Sequence, residues 1–523
     1  MVRRRLLSTT LLTLAAASGL QAQMQGAASE SCRQAIALVR RSLDASAGTL
    51  ARARSLEIRE RTVGYSYYEQ LTFEGDGERS LAEDWTYLSF ADGTYVRDNW
   101  FEAPGRFFDA RTIIAGGHGW DVDFVAETFR ARGATDLGSQ RRALRRWPRF
   151  LLEEALQRRE SLRTLGLREG GELEGVVFVD ADGRQLTLLL DAKTGRLVAY
   201  QTLGIHPVEG DVVDETAFLD YRDFGGVTLP ARRLRRINGN AVSEATLASA
   251  RVDTAVEPEK LSPPRTFTEL PAPATQPPFR LTEIAPRTYL VENVGQGGNN
   301  VLVVELARFL FVMEAPEEVP FADNTTRVIE LLAARFPDKP IRYAAVSHYH
   351  IDHAGGVGRF AALGATIVVT PAAASFVRHA ANPDPARWVL SPTPPPRTEP
   401  RVEVVPRGKP WRLADETNEV VLYDVGPYAH AAEELIAHLP RAGIVFEADL
   451  LIGGNEQRLP PARPSAGDLI AKIRQLDLPV RTIVGVHGKA RGLDEVLESL
   501  ERSKRMLERR RARGQRLPQV DEP

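Results

Sequence analysis

Apolar and polar positions change their spacing several times along the chain, and each change predicts a different element. From about Ser31 to Arg61, Ile36, Leu38, Val39 and Leu43 recur on one side, which predicts a helix. Short runs rich in aromatic and β-branched residues follow: Val63 to Phe73, Trp85 to Phe90 and Thr94 to Trp100, with Asp92-Gly93 as a turn. Val176–Val179, Leu186–Leu190 and Leu197–Leu203 continue the pattern, separated by Asp182-Gly183 and Lys193-Thr-Gly195. Strands joined by glycine turns predict an antiparallel meander. It closes with Phe218 to Pro230, Arg235 to Ile237 and Ala248 to Val252, and Asn238-Gly239 has the residues of a two-residue hairpin turn.

The pattern then lapses. Seven prolines fall between Pro258 and Pro278, too many for a helix or a central strand, so residues 256–278 are expected to be a semi-rigid linker. Apolar runs resume near Phe279. Asn300–Glu305 and Arg308–Glu314 predict a hairpin entering a new sheet, and Ile341–Val346 predicts a buried strand leading into a helix opened by Ala354-Gly355-Gly356. Leu493 to Arg513 has helical spacing and a basic end, with Arg509, Arg510, Arg511 and Arg513 expected in solvent. The expected organisation is 31–255 as a helix plus antiparallel β domain, 279–500 as a second domain, and 501–523 as a basic helix end and tail.

Composition sharpens this outline. A chain of 523 residues has material for more than one core, and 43% hydrophobic residues with a formal net charge of -2 give no call for nucleic acid. Residues 130–168 hold eleven arginines against four acids. With no accompanying nucleic-acid module, they read as a solvated helix face. Met1 to Ala22 has the form of an export signal, three arginines before a mostly apolar run and then small residues, which predicts a periplasmic or secreted protein without a membrane anchor after signal removal. Arg3 to Leu7 lacks a good twin-arginine consensus, so export of the unfolded chain and metal loading outside the cytoplasm are expected. Cys32 is the single cysteine; it excludes an internal disulfide, and no cysteine can serve as a metal ligand near the carboxyl end.

The chemistry concentrates at Ser347 to Gly356. His348, His350, Asp352 and His353 lie within six positions on a predicted strand-to-helix loop, in a chain with nine histidines. Imidazole nitrogen with carboxylate oxygen is a donor set for borderline-soft divalent ions. The run His348-Tyr349-His350-Ile351-Asp352-His353 resembles the HxHxDH signature of the metallo-β-lactamase-fold hydrolases. The resemblance implies an α+β architecture, with an αββα sandwich over 279–500 preceded by a separate, curved antiparallel domain. Three later stretches resemble the remaining ligand motifs in order: Gly426 to His430, Gly443 to Asp449, and Thr482 to Gly488. The family pattern places His348, His350 and His430 on one metal ion, Asp352, His353 and His487 on another, and Asp449 between them. His438 lies inside an apolar run and reads as strand packing. Family members usually carry aspartate where Glu314 stands, and the extra methylene is expected to disturb contacts behind the ligands. Residues 30–255 bear a further resemblance to the curved sheets of periplasmic lipoprotein-sorting proteins.

What the resemblance implies is a hydrolase with two divalent metal ions, zinc if loaded outside the cytoplasm, acting on a small-molecule substrate. Two ions about 3.5–4 Å apart acidify water and polarise an electrophile. Asp352 is the expected orienting group for that water, and Tyr349 and Tyr428 are candidate donors to the developing oxyanion. Common lactamases carry cysteine where Asp449 stands, so the ligand set is closer to the glyoxalase II and lactonase branches. An exported enzyme is unsuited to a cytosolic thioester, which leaves an ester or lactone carbonyl as the expected target. β-Lactam, thioester or phosphodiester hydrolysis by the same superfamily is the alternative, and a non-catalytic periplasmic binding protein for an apolar ligand is the reading from another class. Oligomeric state is not encoded in any of these patterns.

Overall fold

Alternating burial along Gln185–Asp191, where Leu186, Leu188 and Leu190 are fully buried, shows how the meander forms: one face of each strand packs and the other meets solvent. The computed structural model describes residues 28–517 apart from 48–49, 66, 69, 76–78, 105, 133–143, 146, 272–277, 296, 318–322, 392–393 and 454–457. The expected signal at 1–22 and the last residues of the tail lie outside the described residues. The fold is mixed α and β, mostly sheet.

Fourteen strands of the described residues form one N-terminal sheet around the antiparallel pair Ser55–Tyr65 and Asn240–Val252. On one side run Arg79–Ser89, Tyr95–Ala103, Arg106–Ala115, His118–Asp123 and Thr128–Ala131. On the other run Thr228–Ile237, Gly210–Asp223, Leu197–His206, Gln185–Asp191, Leu173–Val179 and Arg163–Arg168. Helices Ala28–Ala47 and Pro148–Gln157 cover this second half, burying Ala35, Val39, Leu151 and Leu152 against Phe178, Leu188 and Leu190.

Three expectations change here. The first helix stops at Ala47, and the residues up to Arg61 belong to a strand that begins at Ser55, because Leu56 and Ile58 alternate into the sheet core rather than onto a helix face. The run expected as a strand to Phe73 leaves the sheet after Tyr65, and its aromatic residues pack elsewhere. The proline-rich linker is not bare: Thr268–Leu270 adds a short parallel edge strand beside Thr128–Ala131, a position where proline-flanked chain is tolerated.

The second region is built from two sheets, both buried on two faces, which is why its strands read as continuous apolar runs. The first has the order Arg280–Ala285, Thr288–Val294, Asn299–Glu305, Leu310–Met313, Ile341–Ala345, Thr366–Val369 and Arg401–Val404. In the second, Trp411–Ala414, Glu419–Asp424, Leu435–Leu439, Ile444–Glu447 and Thr482–Gly485 run in order to the edge pair Arg491–Gly492. Leu302, Val304, Phe311 and Met313 meet Leu422, Leu435, Ala437 and Phe446 between the sheets. Burial of each such side chain contributes roughly 1.5–3 kcal/mol. The opposite set, Val301, Val303 and Val312, faces helices Asn324–Arg335, Val357–Ala362 and Ala373–Ala380. Ile436, Val445 and Ile483 face helix Pro464–Gln475 and, through Val496, helix Leu493–Ala512. The result is the αββα layering, with the ligand-bearing loops at one edge.

The two regions share side-chain contacts. Tyr68 and Val208 of the N-terminal region sit in the core of the first αββα half. Gly210 has φ +75 and a Cβ there would fall 2.0 Å from the carbonyl oxygen of Arg387, so only glycine permits that approach. Of the carboxyl-terminal arginines Arg510 departs from expectation, while Arg509, Arg511 and Arg513 are exposed. Arg510 is buried and donates to Asp109 at 2.6 Å, and Arg513 pairs with Glu127 at 3.1 Å, so part of the basic end is a clasp on the N-terminal sheet.

Candidate metal centre

Strand Ile341–Ala345 ends just before the histidine cluster, and the short helix Ile351–Ala354 carries Asp352 and His353. Glu314 closes the neighbouring strand. Its backbone N–H donates to Ala345 at 2.9 Å, and its Oε1 accepts from the Ser347 N–H at 3.1 Å, which fixes the start of the loop. Glu314 has φ +88, a conformation costly for a residue with a Cβ.

Seven candidate ligands converge in two groups. His348 Nε2 lies 2.9 Å from His350 Nδ1, which lies 3.1 Å from His430 Nε2. Asp449 Oδ2 stands 2.7 Å from His430 Nε2 and 4.0 Å from His348 Nε2. In the second group, Asp352 Oδ2 is 3.5 Å from both His353 Nε2 and His487 Nε2, and the two imidazoles are 3.3 Å apart. Asp449 Oδ1 faces this group, 3.2 Å from His353 and 3.0 Å from His487. One carboxylate therefore presents one oxygen to each group.

At His350 the outward nitrogen shows why the inward one is bare. His350 Nε2 lies 2.9 Å from the Gln70 carbonyl oxygen, which can only accept, so the proton is on Nε2 and Nδ1 keeps its lone pair. His348 Nδ1 lies 3.0 Å from Ser347 Oγ, and His353 Nδ1 is 3.2 Å from Glu314 Oε2, the latter pair poorly aligned for a hydrogen bond. Glu314 thus comes within 3.2 Å of the second-group histidine, but the contact behind this candidate ligand is not a well-formed hydrogen bond. Three ring nitrogens held within 3.1 Å of their neighbours cannot all share protons, and a divalent cation fits that donor set.

Electrostatics set His348 and His350 apart from the imidazoles that face Asp449, including His430, which Asp449 raises against burial. Burial and the His430 charge push His350 down to about 3, and burial with neighbouring imidazoles holds His348 well below its ordinary value. Burial works against charge at His487, yet Asp449 and Asp352 raise it to about 9. His353 is likewise raised against burial by Asp352 and Asp449. Asp449 is held well below the carboxylate range, since His353 and His487 outweigh its burial.

Beside the ligands lies a pocket of about 340 Å³, lined by His350, Asp352, His430, Asp449 and His487 together with Arg106, Gly297, Ile452, Arg463 and Gly488. Neither tyrosine expected as an oxyanion donor lines it. Tyr349 is buried, its hydroxyl donates to the Gln70 carbonyl, and its ring packs on Phe73 and Phe376. The Tyr428 hydroxyl donates to Glu434. Glu434 was invisible in the sequence pattern; it is fully buried, and burial followed by the Asp449 charge pushes it up to about 7. His438 is buried in strand Leu435–Leu439, outside both groups. Gln70 and Arg106 were also unmarked, since nothing in a single sequence pairs a residue with a partner hundreds of positions away.

Residues 313–487 match the sequence profile described as the metallo-beta-lactamase superfamily, and this span includes all seven candidate ligands. The chain is similar to the metallo-beta-lactamase FIM-1 from Pseudomonas aeruginosa, solved in a mono-zinc form, at 18% identity and a TM-score of 0.33 over 44% of this chain and 98% of that one. It is also similar to a metallo-beta-lactamase from Pontibacter korlensis at 16% identity and a TM-score of 0.33, over 43% and 99% of the two chains. A comparison with curated proteins found no match.

Proposed function

From a region, residues 313–487, that carries the metallo-beta-lactamase superfamily pattern, we propose that this protein is an exported hydrolase that holds two divalent metal ions and opens an ester or lactone carbonyl. The observation that supports this most is Asp449, whose two oxygens face the two ligand groups. His348, His350 and His430 hold one ion, and Asp352, His353 and His487 the other; zinc suits this nitrogen-rich, cysteine-free set. When bound, the ions supply Lewis acidity and make water acidic enough to ionise near neutral pH.

The chain's own groups do the rest. Asp352 lines the pocket with 31% of its side-chain surface exposed, so it can accept a hydrogen bond from the attacking water and hold it in line with the carbonyl. Ser347, Gln70 and Glu314 keep the ligand rings turned. Among the described residues no helix is long and apolar enough to cross a membrane. The test is elemental analysis of the purified protein beside Asp352→Ala and His487→Ala, with turnover of lactones, esters, β-lactams and phosphodiesters. About two ions per chain, falling in both variants, with lactone or ester turnover, is the expected result. No bound metal after reconstitution, or turnover of phosphodiesters alone, overturns the reading.

A further inference from the structure

Two arginines border the metal pocket from opposite regions of the chain. Arg106 opens strand Arg106–Ala115 of the N-terminal sheet, and Arg463 immediately precedes helix Pro464–Gln475. Among the described residues neither has an ion pair or a side-chain hydrogen bond. At the same junction Arg510 is paired with Asp109 at 2.6 Å, Arg513 with Glu127 at 3.1 Å and Arg516 with Glu83 at 2.7 Å, and of the described arginines only Arg106 and Arg463 line the small pocket beside the candidate ligands.

Each lies over an aromatic ring. The Arg106 guanidinium lies over Phe101 at 5.7 Å, and that of Arg463 over Phe108 at 5.6 Å, while the two rings are themselves 5.6 Å apart. A single hairpin of the N-terminal sheet therefore supports both cations. Burial and the charge of Arg106 both disfavour the charged form of Arg463, and only Asp449 acts against them. Two like charges bordering one pocket with no ion pair of their own are costly, and an anionic ligand relieves that cost.

We propose that Arg106 and Arg463 form a clamp for a carboxylate on the substrate, so that the preferred substrates are anionic esters or lactones whose scissile carbonyl is bound at the same time beside Asp352. This rests on the hydrolase reading for the identity of the substrate, but not for the clamp itself. Guanidinium donors suit a carboxylate in both charge and planar geometry. The small pocket shares Arg106, Arg463, Gly297 and Ile452 with a cleft of about 2470 Å³ between the two regions, which admits a substrate longer than the pocket alone. Phe108, 42% exposed, offers the cleft an apolar surface next to the clamp.

The test uses the full-length, metal-loaded protein and the variants Arg106→Gln, Arg463→Gln and Arg106→Lys. Calorimetry with glutarate, a small dicarboxylate that cannot be hydrolysed, reads the clamp directly. Competition by glutarate and kcat/KM for matched ester pairs, one carrying a terminal carboxylate and one neutral, read it in turnover. Each glutamine variant is expected to weaken glutarate tenfold or more and to lower the charged-to-neutral ratio of kcat/KM by a similar factor, with metal content unchanged. Arg106→Lys is expected to recover part of the glutarate affinity. Glutarate binding that does not change in both glutamine variants, or wild-type protein that neither binds glutarate nor prefers the charged ester, overturns the clamp. Loss of glutarate binding in the variants with no ester turnover by any form keeps the clamp and refutes the hydrolytic reading instead.

Discussion

His350 donates from Nε2 to the carbonyl oxygen of Gln70, a residue 280 positions earlier and part of a different sheet-forming region, at 2.9 Å. The contact decides which nitrogen of a candidate metal-ligand histidine is free. The loop that supplies it is pinned by the Leu71 carbonyl, which accepts from Ala432 at 3.0 Å, and by the Phe73 ring, 5.3 Å from Phe376 and 5.8 Å from Tyr349. The N-terminal region is thereby part of the support of the candidate metal centre.

Metal affinity is expected to depend on that loop. Loss of a partner behind a ligand typically weakens metal binding by about 10–100-fold. Phe73→Ala, which removes the ring that wedges the loop, is predicted to lower zinc affinity at the smaller end of that range, and residues 279–523 alone are predicted to lose more. Competition against a chromophoric chelator measures both. Unchanged affinity in the truncated protein would separate the two regions functionally.

Tyr349→Phe distinguishes a packing role from a catalytic one. Its hydroxyl is spent on the Gln70 carbonyl and its ring is buried, so the variant should lose about 1 kcal/mol of stability and keep kcat within about threefold. A donor to the oxyanion would cost about 100- to 1000-fold in kcat. Steady-state kinetics on the best substrate, beside a denaturation midpoint, decides between them.

Glu314→Asp asks whether the longer side chain is required here. Its two oxygens reach Ser347 N–H at 3.1 Å and His353 Nδ1 at 3.2 Å, and shortening by one carbon–carbon bond, about 1.5 Å, withdraws both. The expected outcome is a fall in bound metal toward one ion per chain, read by elemental analysis, as His353 loses its orientation. Full occupancy would show that the backbone at this position moves to compensate.

The ligand set was legible because each histidine or aspartate follows a buried apolar strand, and the strands themselves stand out where both faces are covered. His348 to His353 and His487 needed nothing beyond local pattern and order. The contacts between regions left no such trace. Arg510 looks like any solvated arginine on a basic helix end until Asp109 is brought to it, and the run from Val63 to Phe73 has strand composition although its second half leaves the sheet to pack on Tyr349 and Phe376. The helix expected from Ser31 ends at Ala47, and the i, i+2 spacing of Leu56 and Ile58 is that of a strand. Arg106 and Arg463 carry no motif at all; what marks them is their shared place on the pocket beside the candidate ligands without an ion pair among the described residues, which only the assembled pocket reveals.

Acid sensitivity is expected to enter through His206 as well as through the metal ligands. Its ring is 2% exposed, and Nδ1 accepts from the backbone N–H groups of Val208 and Glu209, both at 3.2 Å, so that nitrogen must be unprotonated in the folded chain. Burial, together with the charges of Arg387 and His379 and against that of Glu209, lowers its pKa to about 4. The unfolded value is about 6.5. Because the unfolded chain takes up the proton first, the contribution is fully present above about pH 6.5 and is lost as pH falls toward 4, at most about 3 kcal/mol. The ring also packs on Tyr68, 4.5 Å between centroids, so the loss is felt where the two regions meet. His206→Asn keeps an acceptor for the same turn but cannot titrate. Urea midpoints measured from pH 7.5 to 4.5 are therefore predicted to fall more steeply for the wild type than for the variant. The metal ligands are common to both proteins, so the difference isolates His206. Parallel profiles would mean that the buried ring does not change its protonation on unfolding in this range.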